Sequence, residues 1–351
     1  MNLIRFIFFP FSLIYGLIIL IRNFLFKKGF RKGVAFDLPI ICIGNLSTGG
    51  TGKTPHTELI IEKLSEQYQI GVLSRGYKRL TKGYVQASPN STWEDVGDEP
   101  LQYFFKFGKK VSVQVAEERI EGVIRIAGDQ PKTELILLDD AYQHRSIKAG
   151  FNILLTDYSR PFFSDFILPV GDLREFRSGK NRADYIVMTK CPKNLSEEEK
   201  MILTKRIQPN SIQKVFFSSI NYKGIFNFDG QKLESLPENI LLVTGIAKPK
   251  PILDYLKGKN VKHLEYPDHY RFKARDIEKI TDLFDNFAAG NKIILTTVKD
   301  LMRLRIFKKF CEDYQNEIHY LDISIEIDNE KEFLQGIINY VESNKRNDSV
   351  H

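Results

Sequence analysis

Residues 40–64 read IICIGNLSTGGTGKTPHTELIIEKL. The opening Ile40-Ile41-Cys42-Ile43 is a short, mostly β-branched apolar run, as expected of a strand buried on both faces. Ser47-Thr48-Gly49-Gly50-Thr51-Gly52 interrupts it, and from Lys53 onward Leu59, Ile60 and Leu64 recur at helical spacing. In a strand–turn–helix of this kind the glycines let successive backbone N–H groups turn inward, and the helix N-terminus adds its positive end. The product is a cradle for phosphate. Lys53 supplies a point charge for β- and γ-phosphates, and Thr54 a hydroxyl for Mg²⁺. The strict pattern asks for glycine at position 47, where this chain has Ser47; the core from Gly49 to Thr54 is intact.

Beyond this stretch, short apolar runs alternate with amphipathic ones. Strands are predicted at 69–76, 110–116, 134–140, 151–157 and 184–190, with helices at 58–67, 98–107 and 117–127. The alternation predicts an α/β fold, a P-loop NTPase-like parallel sheet covered by helices. A second, smaller α/β domain begins near 239, after an extended stretch at 215–228 that ends in the Asp229-Gly230 turn. The predicted organisation is an N-terminal membrane-associated helix at 1–28, a P-loop domain at 29–221, a smaller domain at 222–330, and a C-terminal helix and tail at 331–351. A chain of 351 residues suits two domains.

The run Leu135-Ile136-Leu137-Leu138 ends in Asp139-Asp140, which sets carboxylates at a strand terminus where they can hold Mg²⁺ beside the loop. Thr189-Lys190-Cys191-Pro192 has proline where a guanine-reading motif needs aspartate, so ATP is the expected nucleotide.

The formal charge of +7 is unevenly spread. Arg5, Arg22, Lys27, Lys28, Arg31 and Lys32 give the first 36 residues six positive charges and no acid, leaving a net charge of one on all the rest. Basic residues confined to one end point to a membrane surface and away from nucleic acid. They flank Phe6–Ile21, sixteen uncharged residues that as a helix reach about 24 Å, short of a ~30 Å hydrocarbon core. An interfacial or partly inserted helix fits best, with a single spanning helix as the alternative. Cys42, Cys191 and Cys311 form no C-x-x-C pair and read as reduced cytosolic thiols.

Eight segments together resemble the tetraacyldisaccharide 4'-kinases, the lipid A 4'-kinases of Gram-negative bacteria. They are GNLSTGGTGKTP (44–55), LSRGY (73–77), VGDEP (96–100), LDDAYQHR (138–145), LPVGDLRE (168–175), RADYIVMTKC (182–191), PDHYRF (267–272) and TTVKD (296–300). Ala141, Tyr142, Val298 and Tyr270 depart from the family's usual residues. The resemblance implies transfer of the ATP γ-phosphate to the 4'-hydroxyl of tetraacyldisaccharide 1-phosphate, at the cytoplasmic face of the inner membrane, with no obligate protein partner. It makes Asp98 the general base, His269 its partner and Lys53 the phosphate lysine. Residues 47–54 bind nucleotide, and Thr54, Asp139, Asp140 and Glu175 form the metal set. Arg75, Arg119, Arg174 and Arg177 are candidates for phosphate contacts on nucleotide or lipid. From the residues alone, Asp98 reads first as a helix N-cap or first-turn acid, and only the resemblance makes it a base. The competing function is a membrane-associated P-loop switch or partitioning-type ATPase. Against it, positions 47 and 48 lack the early lysine such proteins commonly carry.

Overall fold

The computed structural model describes residues 3–287 and 290–345. The expected C-terminal tail past 345 and positions 288–289 lie outside the described residues. The strands are β1 (Ile40–Asn45), β2 (Ile70–Ser74), β3 (Val85–Gln86), β4 (Val111–Val115), β5 (Leu135–Asp139), β6 (Phe151–Asp157), β7 (Tyr185–Thr189), β8 (Lys214–Asn227), β9 (Asn239–Thr244), β10 (Asn260–Glu265), β11 (Lys292–Thr297) and β12 (Ile318–Ile327). Among the described residues they form one twelve-stranded sheet in the order β10-β9-β11-β12-β8-β7-β6-β1-β5-β2-β4-β3.

Every residue of β1 and β5 is buried, as their apolar runs predict. The two are parallel neighbours, with Ile43 opposite Asp139. The turn after β1 and the acid ending β5 therefore emerge side by side at one sheet edge, where α/β folds bind ligands.

The extended stretch expected near 215–228 is β8, and it explains how the two halves meet. Its first residues pair parallel with β7, Met188 opposite Phe217. From Ser218 onward it pairs antiparallel with β12, ending His319 opposite Asn227. Strands β9 to β12 run parallel to one another and so opposite to β7. Because the halves pair with different lengths of β8, their C-terminal edges point at each other. β7 stops near Phe217, whereas Thr297 of β11 lies level with Leu321 and hence with Ile225. Eight residues of strand separate those levels, roughly 26 Å at 3.3 Å each. Loops from both edges fill that gap.

The last helix, Glu330–Ser343, covers the first half. Phe333 packs on the rings of Tyr185 and Phe216, and the Tyr340 hydroxyl bonds both backbone groups of Ile40.

At the N-terminus, helix Phe9–Lys27 is 19 residues long and apolar enough to cross a membrane by length and composition. It runs through Arg22 and Asn23 and so exceeds the uncharged run. Ser12, Gly16 and Ile19, spaced four and three apart on one stripe, are its buried residues. Ser12 Oγ donates to Ile167 O and accepts from Val170 N, Tyr15 donates to Arg174 O, and Arg5 pairs with Asp172 at 3.0 Å. A Cβ on Gly16 would lie 3.0 Å from the Phe176 ring, so glycine permits this approach. The other faces expose Phe11, Leu13, Ile14, Leu17, Ile18 and Phe24. An apolar face of this size marks a membrane or partner surface.

Candidate active site

The turn after β1 is held open from both sides. Thr48 N donates to Asp172 O, and Arg174 N to Leu46 O. On the other side Thr189 Oγ1 donates to Thr51 O and Lys190 Nζ to Gly50 O. Asn45 Nδ2 reaches Thr51 Oγ1 at 2.9 Å. Gly52 has φ +86°, a left-handed conformation that glycine adopts without strain, and it starts helix Lys53–Leu64. The Thr189-Lys190 pair, which sequence offered only as a failed guanine motif, thus braces the phosphate loop.

Lys53 Nζ points at Asp140, 3.7 Å from Oδ1, and Arg174 reaches the same oxygen at 3.1 Å. Burial works to raise the Asp140 carboxyl, but Lys53 and Arg174 hold it below its ordinary value. Asp139 is buried, and its Oδ2 accepts from the Tyr103 hydroxyl at 3.1 Å. Its Oδ1 has no hydrogen-bond partner among the described residues. Burial, with Glu99 and Asp140 nearby, pushes the Asp139 carboxyl up to about 7. An orphaned buried carboxylate oxygen at the end of the strand beside the phosphate loop is a hard oxygen donor, and it fits Mg²⁺. This ion uses one or two carboxylates together with waters and substrate phosphates. Among the described residues no three His, Cys, Asp or Glu side chains converge to hold a metal by themselves.

Across the gap, helix Asp98–Phe107 of the first half meets the loop after β10. His269 Nδ1 lies 3.0 Å from Asp98 Oδ2, joining residues 171 apart. Lys299 Nζ donates to His269 Nε2 at 3.1 Å and to Glu99 Oε1 at 3.1 Å. With Nε2 accepting, the ring proton sits on Nδ1 and is donated to Asp98. Arg303 Nε stands 3.5 Å from the same Asp98 oxygen and is itself held by Asp300 at 2.7 Å. Asp98 is only 3% exposed. Burial would raise its carboxyl, but the His269 bond, Lys299 and Arg303 bring it down to about 2. Its Oδ1 accepts from Glu99 N, so the first-turn role holds alongside the pairing. The Tyr77 ring packs edge-on to His269 with centroids 5.0 Å apart, and Lys78 donates to His269 O.

The remaining expected residues scatter. Glu175, expected with the metal set, is fully buried in a two-pronged pair with Arg182, at 2.8 and 3.0 Å, and also accepts from Gln143. Its charge is consumed in holding the loop at 174–182. Arg177 donates twice to Asp165 O and ties the same segment. Arg119 is 1% exposed; Nη1 donates to Ala116 O, while Nε and Nη2 have no partner among the described residues. It is closed to solvent in this conformation. Arg75 is exposed. Lys299, Arg303 and Glu99 carried no expected role. Lys299 and Arg303 lie four apart on one face of helix Val298–Leu304, and the fold alone brings that face to His269 and Asp98.

Comparison with known proteins gives this geometry a family. Residues 4–342 match the model of the tetraacyldisaccharide-1-P 4'-kinase family, LpxK. The chain belongs to this family. A tetraacyldisaccharide 4'-kinase of Flavobacterium johnsoniae is 47% identical over 98% of this chain and 99% of its own. One of Bacteroides thetaiotaomicron is 44% identical over 97% and 94%. The crystal structure of LpxK from Aquifex aeolicus in complex with ATP superposes with a TM-score of 0.74 at 28% identity, covering 97% of this chain and 99% of that one. The LpxK match extends over both sheet edges and the helix at Phe9–Lys27.

Proposed function

We propose that this chain transfers the γ-phosphoryl group of ATP to the 4'-hydroxyl of tetraacyldisaccharide 1-phosphate in lipid A biosynthesis. The observation that carries the reading is the Asp98–His269 hydrogen bond at 3.0 Å, formed between the two facing edges beside a phosphate loop. Residues 47–54 bind the nucleotide phosphates. The Lys53 ammonium lies against the β- and γ-phosphates, exchanging its Asp140 contact for them. Asp98, aimed by His269, accepts a hydrogen bond from the sugar hydroxyl and orients it for in-line attack. The hydroxyl oxygen bonds the γ-phosphorus, the bond to the β–γ bridging oxygen breaks, ADP leaves, and the hydroxyl proton passes to Asp98. In a loose phosphoryl-transfer transition state the proton moves late, so a carboxylate held near 2 serves chiefly as an orienting acceptor. Thr54 and Asp139 would hold Mg²⁺, which neutralises charge on the phosphoryl oxygens. Arg174 and Arg75 are offered to substrate phosphate. The second half of the sheet brings His269 and Lys299 to Asp98 and Glu99, so the site is made by both halves together.

Incubation with γ-labelled ATP and tetraacyldisaccharide 1-phosphate tests this reading: label should enter the lipid. Release of inorganic phosphate with unlabelled lipid would favour the switch-type ATPase.

Asp139 must be ionised to hold a cation. Thr54→Ala and Asp139→Asn should each raise the Mg²⁺ concentration for half-maximal activity, by about tenfold or more. A metal titration matching wild type would remove either from the site.

The helix Phe9–Lys27 lies on the inner membrane at its cytoplasmic face, with Lys27, Lys28, Arg31 and Lys32 at anionic headgroups. Confinement to the surface that carries the substrate raises local encounter without new contacts. Replacing these four cations with Gln should weaken binding to anionic vesicles at low salt. It should also raise KM for bilayer substrate while leaving KM for ATP unchanged. Charges of this kind are screened within ~10 Å at 0.1 M salt, so the difference should shrink as salt rises. Equal vesicle binding by both forms at low salt would exclude the electrostatic anchor.

A further inference from the structure

His56 stands in the first turn of the helix that follows the phosphate loop and has no part in the chemistry above. It is 1% exposed. Its Nδ1 lies 2.7 Å from Gly52 O, and its Nε2 lies 2.9 Å from Ser218 Oγ. A carbonyl can only accept, so Nδ1 must carry the proton. Nε2 then accepts from the Ser218 hydroxyl, whose other neighbour, Met188 O, is farther at 3.5 Å.

The Gly52 carbonyl belongs to a planar trans peptide, and the N–H on the other side of that plane is the amide of Lys53. Pinning the oxygen down the helix axis therefore aims the Lys53 N–H back into the loop. The ordinary helical bond to this carbonyl, from His56 N, is long at 3.2 Å, so the imidazole is its shorter partner. The serine at the other end is no ordinary strand residue. Ser218 is where β8 stops pairing with β7 and starts pairing with β12, opposite Ile327.

We propose that His56 is a positioning residue that fixes the Gly52–Lys53 peptide plane for nucleotide phosphate and ties it to β8 where the two halves of the sheet join. This rests on the ATP-kinase reading of the loop. The relay is Ser218 hydroxyl to Nε2, then Nδ1–H to Gly52 O.

Three variants separate the two bonds. Asn places an amide nitrogen near the position of Nδ1, Gln places one near Nε2, and Leu supplies neither. His56→Leu and His56→Gln should raise KM for ATP about tenfold, the loss of one positioned hydrogen bond, and His56→Asn should stay within about threefold of wild type. KM for the lipid should not move in any of them. A role confined to packing would instead lower melting temperature in all three without ordering their KM values, and that result would overturn the proposal. The unmutated full chain gives a second test, since its ¹⁵N imidazole signals should show the His56 proton on Nδ1. A proton on Nε2 would overturn it without any question of folding. If Lys53→Ala retains full activity, the kinase reading of the loop fails. If Lys53→Ala is inactive while His56→Leu and His56→Asn share one KM for ATP, only the present inference fails.

Discussion

Asp98→Asn lowers kcat by about 10²- to 10⁴-fold, the range expected when a positioned proton acceptor is removed. The variant keeps the shape of the side chain and its bond from Glu99 N. It loses the charge that His269, Lys299 and Arg303 surround. His269→Ala acts through Asp98, by removing the 3.0 Å bond that orients it. If the pair works as a unit, the double variant is little slower than the slower single one. Independent multiplicative losses would mean that His269 has its own contact with substrate. Unchanged kcat in Asp98→Asn, with lowered melting temperature, would leave Asp98 a first-turn helix acid only.

The same carboxylate sets a pH dependence of stability whose sign follows from its depressed value. Asp98 titrates near 2 when folded against an ordinary 3.8. The unfolded chain therefore binds its proton first as pH falls. The stabilisation is complete above the ordinary value and is lost as pH drops from about 4 toward 2. Its size is on the order of 2 kcal/mol. Asp98→Asn should flatten acid unfolding in that window. An acid-unfolding curve of the same steepness in both proteins would show that the cations do not hold the carboxylate down. In the pH–rate profile Asp98 contributes no limb between pH 5 and 8.

How much of this was legible in the sequence depends on how local the signal is. Residues 40–64 specify their own strand, turn and helix, because apolar periodicity and glycine placement act within a few residues. The acids at 139–140 follow from one apolar run, and the sheet order that sets them beside the loop needed only a parallel neighbour. The Asp98–His269 bond is different in kind. No spacing rule spans 171 residues, and only the family resemblance named the pair. What makes it is β8, whose shared length turns two C-terminal edges toward each other. In sequence that strand reads as an undistinguished extended stretch. Glu175 shows the opposite case. The resemblance puts it in the metal set, whereas in this structure its buried carboxylate is engaged by Arg182 and Gln143, contacts that no local pattern announces. Lys299 was in view within TTVKD, but a lysine at a helix start means nothing until His269 and Glu99 are brought to it.

Lys53→Ala abolishes turnover while the fold survives. The lysine side chain is 11% exposed, and its ammonium is directed at Asp140 across 3.7 Å. Removing it does not strand that carboxylate, because Arg174 holds it at 3.1 Å and Asp140 remains about a third exposed. The variant should melt within a few degrees of wild type, as expected for loss of a partly solvated pair. The kinetic cost is far larger. A fixed charge aimed at oxygens where charge develops is worth about 10²- to 10³-fold in kcat for a single donor. KM for ATP should rise as well, since the ammonium meets the phosphates already in the ground state. Lys53→Arg sharpens the test. Arginine keeps the charge but spreads it over a planar fork longer than the ammonium stem, and a loop braced by Thr189 and Lys190 cannot widen to admit it. It should therefore be nearly as slow as Lys53→Ala. Rescue by arginine would mean that the site needs only a positive charge. Full activity in Lys53→Ala would mean that the turn at 47–54 is a structural element and the phosphate is held elsewhere.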